Sequence, residues 1–171
     1  MSFRNALKPI VVGGLIAGTL DITAACVSAW LQAGVTPVRV AQSVASGAIG
    51  REAAVNGGIE TALLGLAFHY LIATTATAVF YLASRKLRFL VNWPVSMGLL
   101  YGVFVYLFMN FVVVPLSNVT RRGAPPLSSR AIQMLIIMFC VGLPIALIVR
   151  WFSKDDDDEM ALPNTIEADP V

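Results

Sequence analysis

Four long apolar stretches constrain this chain more than any other feature of its sequence. They run over about residues 10–31, 61–83, 91–114 and 131–149. Each has about the 20 residues that a helix needs to cross a hydrocarbon core of ~30 Å. Because backbone polar groups cannot stay unpaired in lipid, we expect all four to be helices. The sequence therefore predicts an all-α membrane protein with four transmembrane helices in one domain over residues 1–154.

The charged residues of the chain are few and unevenly distributed. The sequence is 57% hydrophobic and 13% charged, whereas a soluble domain is about 45–50% apolar and about 25% charged. This composition excludes a soluble fold, a disordered protein and a basic nucleic-acid binder. Seven of the ten acidic residues lie in the tail over residues 155–171, which we expect to be disordered. The expected partner is therefore the lipid bilayer, without nucleic acid.

The distribution of Lys and Arg predicts the orientation of the four helices. With both termini in the cytoplasm, the inner side carries seven of these residues, namely Arg4, Lys8, Arg85, Lys86, Arg88, Arg150 and Lys154. The outer side then carries five, namely Arg39, Arg51, Arg121, Arg122 and Arg130. The excess of positive residues favours the inner assignment for both termini. Trp30, Trp93 and Trp151 each lie at a predicted helix end, where an aromatic belt would place them.

The loop over residues 34–60 has the pattern of a short helix. Thr36 can act as N-cap and Pro37 suits the first helical position. Apolar residues then recur at helical spacing, at Val38, Ala41, Val44, Ala45 and Ala48. The segment is too short to span a bilayer. Two interpretations stay open, an interfacial helix on the outer surface and a re-entrant segment that lines a polar cavity.

Three polar residues lie inside the predicted spans, where such groups are costly and therefore informative. Asp21 lies near the middle of the first span, and His69 and Asn110 lie in the outer halves of the second and third. Each of them shares a helix face with small residues. Turning these faces inward would bring the three side chains near a common axis. We therefore predict an intramembrane polar site of Asp21, His69 and Asn110.

Glycines mark the faces on which the helices are expected to pack closely. These candidate packing residues are Gly14, Gly18, Gly65, Gly98 and Gly102. Two of the pairs form GxxxG motifs, which allow close helix approach. The segments 14–18 and 98–102 are also similar in sequence. Their similarity hints at two related helical hairpins in succession.

Pro144 lies inside the fourth predicted span, two residues after Gly142. Its ring removes the backbone hydrogen bond to the carbonyl of Cys140. The sequence therefore predicts a kink at Pro144.

No known catalytic or metal-binding arrangement is present in the sequence. The single histidine excludes an HExxH motif and a cluster of histidine ligands. Neither a nucleophile elbow nor a phosphate-binding loop is found. Cys26 and Cys140 lie within predicted spans, without a CxxC motif. The sequence thus predicts no metal and no cofactor, and an enzyme is the less favoured class.

Three segments carry a resemblance to known proteins. They are Gly13-Gly14 through Asp21, Gln42-Ser43-Val44-Ala45-Ser46-Gly47, and Met109-Asn110 through Pro115-Leu116-Ser117. In these segments the chain resembles a group of small uncharacterised bacterial four-helix membrane proteins, over about residues 10–150. The resemblance implies four helices and a location in the bacterial inner membrane. It carries no catalytic residues over to this sequence.

Two classes of function remain open at this point. In the first, the chain is a small transporter or channel-like protein whose polar path is lined by Asp21 and His69. In the second, it is a non-catalytic accessory or assembly subunit whose GxxxG faces bind partner helices. A homo-oligomer or a partner membrane subunit would accompany either function.

Overall fold

The structure is a computed structural model that describes residues 3–118 and 126–161, with side chains over residues 6–118 and 126–153. All regular structure in these residues is helical. Four helical segments are long and apolar enough to cross a membrane. These four spans are Ala6–Ala33, Gly58–Lys86, Pro94–Leu116 and Leu127–Ser153. The prediction of an all-α chain with four membrane-length helices is therefore confirmed. Arg121, Arg122 and residues 162–171 of the predicted tail lie outside the described residues.

Nine α-helices and two π-helical segments make up the described part of the chain. The α-helices are α1 (Phe3–Ala33), α2 (Pro37–Ile49), α3 (Arg51–Asn56), α4 (Gly58–Lys86), α5 (Phe89–Asn92), α6 (Pro94–Phe108), α7 (Val114–Leu116), α8 (Leu127–Ile137) and α9 (Leu143–Ala161). The π-helical segments are Met109–Val113 in the third span and Met138–Gly142 in the fourth. Because the spans are joined at alternate ends, each runs antiparallel to the next. We call the end that carries α2 and α3 the α2 end, and the opposite end the termini end.

All four spans differ in their bounds from the sequence analysis, and two of the differences at helix ends have a clear physical reason. The third span begins at Pro94 and not at residue 91, because Pro94 occupies the first turn of α6 and separates it from the short α5. The last helix, α9, continues to Ala161. The backbone of residues 155–161 is thus helical where we expected the disordered tail to begin. A helix that leaves a span needs no new nucleus, so its hydrogen bonding propagates into the tail.

Both π-helical segments precede a proline. They end at Val113 and Gly142, two residues before Pro115 and Pro144. A proline ring has no N–H and clashes with the preceding turn of an α-helix, and a wider π turn accommodates that clash. Pro144, where the sequence predicts a kink, thus lies just after a π turn.

The first and second spans cross closely at the first GxxxG motif. A Cβ added at Gly14 would lie 2.6 Å from the Cα of Thr74, and one at Gly18 would lie 2.9 Å from the ring of Tyr70. Real Cβ atoms essentially never make contacts this short. The two glycines therefore set the distance between these two helices.

The third and fourth spans cross in the same way at the second GxxxG motif. A Cβ at Gly98 would lie 2.9 Å from the Cβ of Ala146, and one at Gly102 would lie 2.5 Å from the Cα of Met138. The fourth span contributes its own glycine, because a Cβ at Gly142 would overlap the carbonyl oxygen of Gly98. Each GxxxG motif therefore packs against the next span along the chain.

The helix α2 packs along the half of α4 that lies at the α2 end. Gly65 makes this contact possible, because a Cβ there would overlap the carbonyl oxygen of Ala41. The buried side chain of Gln42 donates from Nε2 to the carbonyl oxygen of Gly58 at 2.8 Å. The helix begins at Pro37 with Thr36 in the N-cap position, as predicted, although the threonine side chain makes no capping bond.

Candidate functional site

A cavity of about 510 Å³ opens between the four spans on the side of the α2 end. All four spans and α2 contribute to its wall. The volume falls within the ~300–1,000 Å³ that is typical of small-molecule sites. Asp21, His69 and Asn110 all line this cavity. The structure thus brings the three polar residues singled out in the sequence to one place.

The two ionisable side chains of the cavity face each other across the first and second spans. The Nε2 atom of His69 lies 4.0 Å from Oδ2 of Asp21. Their side chains are 13% and 22% exposed, respectively. They are placed by the close crossing at Gly18, which brings the backbone of the first span to the imidazole. The pair is therefore in electrostatic contact and still accessible from the cavity.

The hydrogen bond of His69 determines which ring nitrogen carries a hydrogen. Its Nε2 atom lies 2.9 Å from the carbonyl oxygen of Gly18. Because a carbonyl oxygen only accepts, Nε2 must be the donor, in the neutral and in the protonated ring alike. A second proton on this ring would therefore be taken up at Nδ1.

Asn110 enters the cavity from the first π-helical segment. Its Nδ2 atom donates to the carbonyl oxygen of Tyr106 at 2.9 Å, which holds the amide beside its own helix. Irregular π turns are frequent at functional sites, and here one carries a polar residue into a cavity.

A second polar group lies toward the α2 end of the cavity and was missed by the sequence analysis. Ser129 of the fourth span donates to Oε1 of Gln32 at 2.7 Å, and Nε2 of Gln32 donates to Ser28 at 2.6 Å. All three residues line the cavity. The signal was present in the sequence, because Ser28 and Gln32 continue the helix face of Asp21 by steps of seven and four residues.

Core residues follow the cavity lining on each span toward the termini end. The last lining residues in that direction are Asp21, Ala76, Val105 and Val141. Four residues further toward the termini end on each span lies a residue of the core or packed against it, namely Ala17, Phe80, Tyr101 and Ile145. We call these four residues the floor. Ala17 and Ile145 are fully buried and Phe80 is 1% exposed.

The aromatic members of the floor are fixed by specific contacts. The rings of Phe80 and Tyr101 meet edge to face with centroids 4.9 Å apart. The hydroxyl of Tyr101 donates to the carbonyl oxygen of Ala76 at 2.7 Å, which ties the third span to the second. Phe80 and Tyr101 thus form a packed and hydrogen-bonded contact between the second and third spans, beyond the last lining residues of those spans.

The charge of the cavity wall is set by Asp21 and His69. Of the residues that the structure describes, no Lys, Arg or Glu lines the cavity. Nor do the described residues contain a group of three His, Cys, Asp or Glu side chains that could hold a metal ion. The site is accordingly a carboxyl–imidazole pair in a wall that is otherwise neutral.

The helix α2 forms part of the cavity wall through Val40, Ser43 and Val44. A cavity-lining role is what the re-entrant interpretation of this segment requires. The five packing glycines, in contrast, are engaged within the chain at the crossings described above. Partner helices would have to displace these contacts in order to use the same faces.

No family model, no curated protein and no solved structure matches this chain.

Proposed function

We propose that this chain is a small membrane transport protein that carries a small solute through the cavity, with Asp21, His69 and Asn110 as its binding residues. The observation that carries the proposal is the position of the Asp21–His69 pair in the wall of a cavity of about 510 Å³ between the four spans. Ionisable residues inside spans that face a cavity commonly mark a solute or proton path.

The floor supports a transporter over an open pore. Buried side chains of Ala17, Phe80 and Ile145 separate the cavity from the termini end. A solute that reaches Asp21 from the α2 end could therefore continue to the termini end only after the residues of the floor had moved apart. Such one-sided access to a site near the midplane is the arrangement that alternating access requires.

The proposal includes the location and orientation predicted from the sequence. The chain lies in the bacterial inner membrane with both termini in the cytoplasm. In that orientation the α2 end and the mouth of the cavity face the outside of the cell. The acidic tail and the basic residues Arg85, Lys86 and Arg88 lie on the cytoplasmic side.

The proposal is tested by measuring flux into vesicles of phosphatidylethanolamine and phosphatidylglycerol that contain the purified protein. Protons are followed with trapped pyranine. Radiolabelled benzyltrimethylammonium, benzenesulfonate and xylitol represent a cation, an anion and a neutral solute. We expect at least one of the four fluxes to exceed that of protein-free vesicles, and Asp21→Asn to abolish that excess.

A matched control separates the role of Asp21 from the loss of a negative charge. Glu52 lies on α3 and does not line the cavity, so Glu52→Gln removes the same charge elsewhere and should retain the flux. The two variants should show the same helix content by circular dichroism. Equal rates for the wild-type protein, Asp21→Asn and protein-free vesicles in all four measurements would overturn the proposal.

A further inference from the structure

We infer that the solute of this cavity is a monovalent organic cation with an apolar body, and that the carboxylate of Asp21 is its counter-charge. This inference rests on the proposed function and specifies its substrate class. It is argued from the charge of the wall, from the number of oxygen ligands and from the shape of the surface around Asp21.

The charge of the wall favours a positive ligand. Asp21 is the sole residue of the described lining that can carry a negative charge, and no Lys or Arg of that lining can balance it. The nearest cationic group is His69 when protonated, with Nε2 4.0 Å away. A bound cation supplies the opposite charge directly, whereas an anion would meet the carboxylate with no Lys or Arg of the described lining to offset it.

The hydrogen bond of His69 leaves the carboxylate free for a ligand. The Nε2–H group donates to the carbonyl oxygen of Gly18 at 2.9 Å and stands beyond hydrogen-bond distance from Asp21. The side chain of Asp21 keeps 22% of its surface exposed. An ammonium group in the cavity can thus approach the carboxylate without displacing an existing bond.

The ligand number favours an organic cation over a divalent metal ion. Calcium takes about six to eight oxygen ligands, and magnesium about six in near-ideal octahedral geometry. The deep end of the cavity offers one carboxylate and the amide of Asn110, whose Nδ2 is engaged with Tyr106. This donor set is too small for such an ion, but one carboxylate suffices for a single ammonium group.

The surface around Asp21 is apolar and made of short side chains. Ala25 and Ala29 follow it on the first span, and Ala73 and Ala76 face it from the second. Val105 and Val141 complete the deep end. Such a wall contacts an alkyl or aryl body favourably, at roughly 25 cal/mol per Å² of apolar surface removed from water. A small inorganic cation would leave this surface unused.

The inference is tested by binding to the purified protein in detergent, without any flux measurement. Benzyltrimethylammonium, benzenesulfonate and N,N-dimethylbenzamide form a set of similar size with positive, negative and no charge. Calorimetry measures their affinities for the wild-type protein, Asp21→Asn and the control Glu52→Gln. Because the chain contains a single histidine, the ¹⁵N signals of labelled imidazole report contact with His69 directly.

We expect benzyltrimethylammonium alone of the three to bind, and to shift the imidazole signals of His69. Asp21→Asn should weaken this binding about 30-fold or more, the loss that removal of one partner of a buried charge pair brings. Glu52→Gln should bind as the wild-type protein does. Equal affinity for all three probes, or cation binding that survives Asp21→Asn, would overturn the inference.

The two proposals fail in different ways. Charge-selective binding at Asp21 without any flux would overturn the transport function and keep the cation site. Flux of protons, benzenesulfonate or xylitol that depends on Asp21, without binding of benzyltrimethylammonium, would keep transport and overturn the substrate class.

Discussion

The two halves of the helical bundle differ in how closely their side chains pack, although the same four helices build both. Toward the α2 end the helices line a cavity, and toward the termini end they enclose a packed core. On the second and third spans, the cavity lining gives way to the core within one helical turn. The change from Ala76 to Phe80 and from Val105 to Tyr101 shows that side-chain volume fills one half and leaves the other open. On the fourth span, Ile137 and Val141 belong both to the lining and to the core.

We expect the largest loss of stability from a substitution at the glycine crossing of the third and fourth spans. Gly142→Leu would place a branched side chain against the backbone of Gly98 and Gly102. Because neither backbone can give way without separating the helices, we expect destabilisation of about 3 kcal/mol, the upper range for an overpacked core. Unfolding in mixed micelles, followed by circular dichroism, measures this loss. Ala67→Leu enlarges an exposed side chain on α4 and should leave the unfolding midpoint unchanged.

We expect the next largest loss of stability from a substitution of an aromatic residue of the floor. Phe80→Ala would remove a ring that is 1% exposed and would enlarge the cavity into the space that the ring fills. We expect a loss of ~2–3 kcal/mol in the free energy of unfolding, at the lower end for a deleted buried ring, since the unfolded chain also remains in a lipid-like phase. Vesicles that contain Phe80→Ala should become leaky to protons. Tight vesicles together with unchanged stability would show that Phe80 does not close the cavity.

A third substitution tests the hydrogen bond within the floor by itself, and we expect a smaller loss of stability from it. Tyr101→Phe keeps the ring against Phe80 and removes the hydroxyl that donates to Ala76. We expect a loss of about 1 kcal/mol, the usual net value of one hydrogen bond. The same unfolding measurement detects this change. A loss as large as that of Phe80→Ala would indicate that the hydroxyl, and not the ring packing, holds the floor together.

The sequence predicted the four spans and the shared location of the polar residues for clear physical reasons. Apolar length determines the spans, and helical spacing places Asp21 on the face of Gly14 and Gly18. The same spacing brings His69 to the first span, where it meets the carbonyl of Gly18. These are properties of single helices and of one close crossing, and they can be read without tertiary coordinates.

The π turns, the floor and the polar mouth of the cavity were not predicted. A π turn at Met109–Val113 depends on how the helix accommodates Pro115 in its packed environment. The floor depends on which residues of different helices meet, as Phe80 and Tyr101 do. The bond between Gln32 and Ser129 joins residues far apart in the chain. Such features follow from tertiary packing, which the residue periodicity of a single helix does not determine.

The most direct test of where the cavity ends on the first span compares two positions on one face of that helix. Ala25 lines the cavity and Ala17 belongs to the floor, with Asp21 midway between them. Single cysteines at these positions, in a chain that carries Cys26→Ala and Cys140→Ala, are exposed to a water-soluble thiol reagent in intact vesicles. We expect Ala25→Cys to be labelled and Ala17→Cys to be protected. Adding Phe80→Ala should make the cysteine at position 17 accessible to the reagent. Protection of both positions, or equal labelling of both, would contradict a cavity that ends at Asp21.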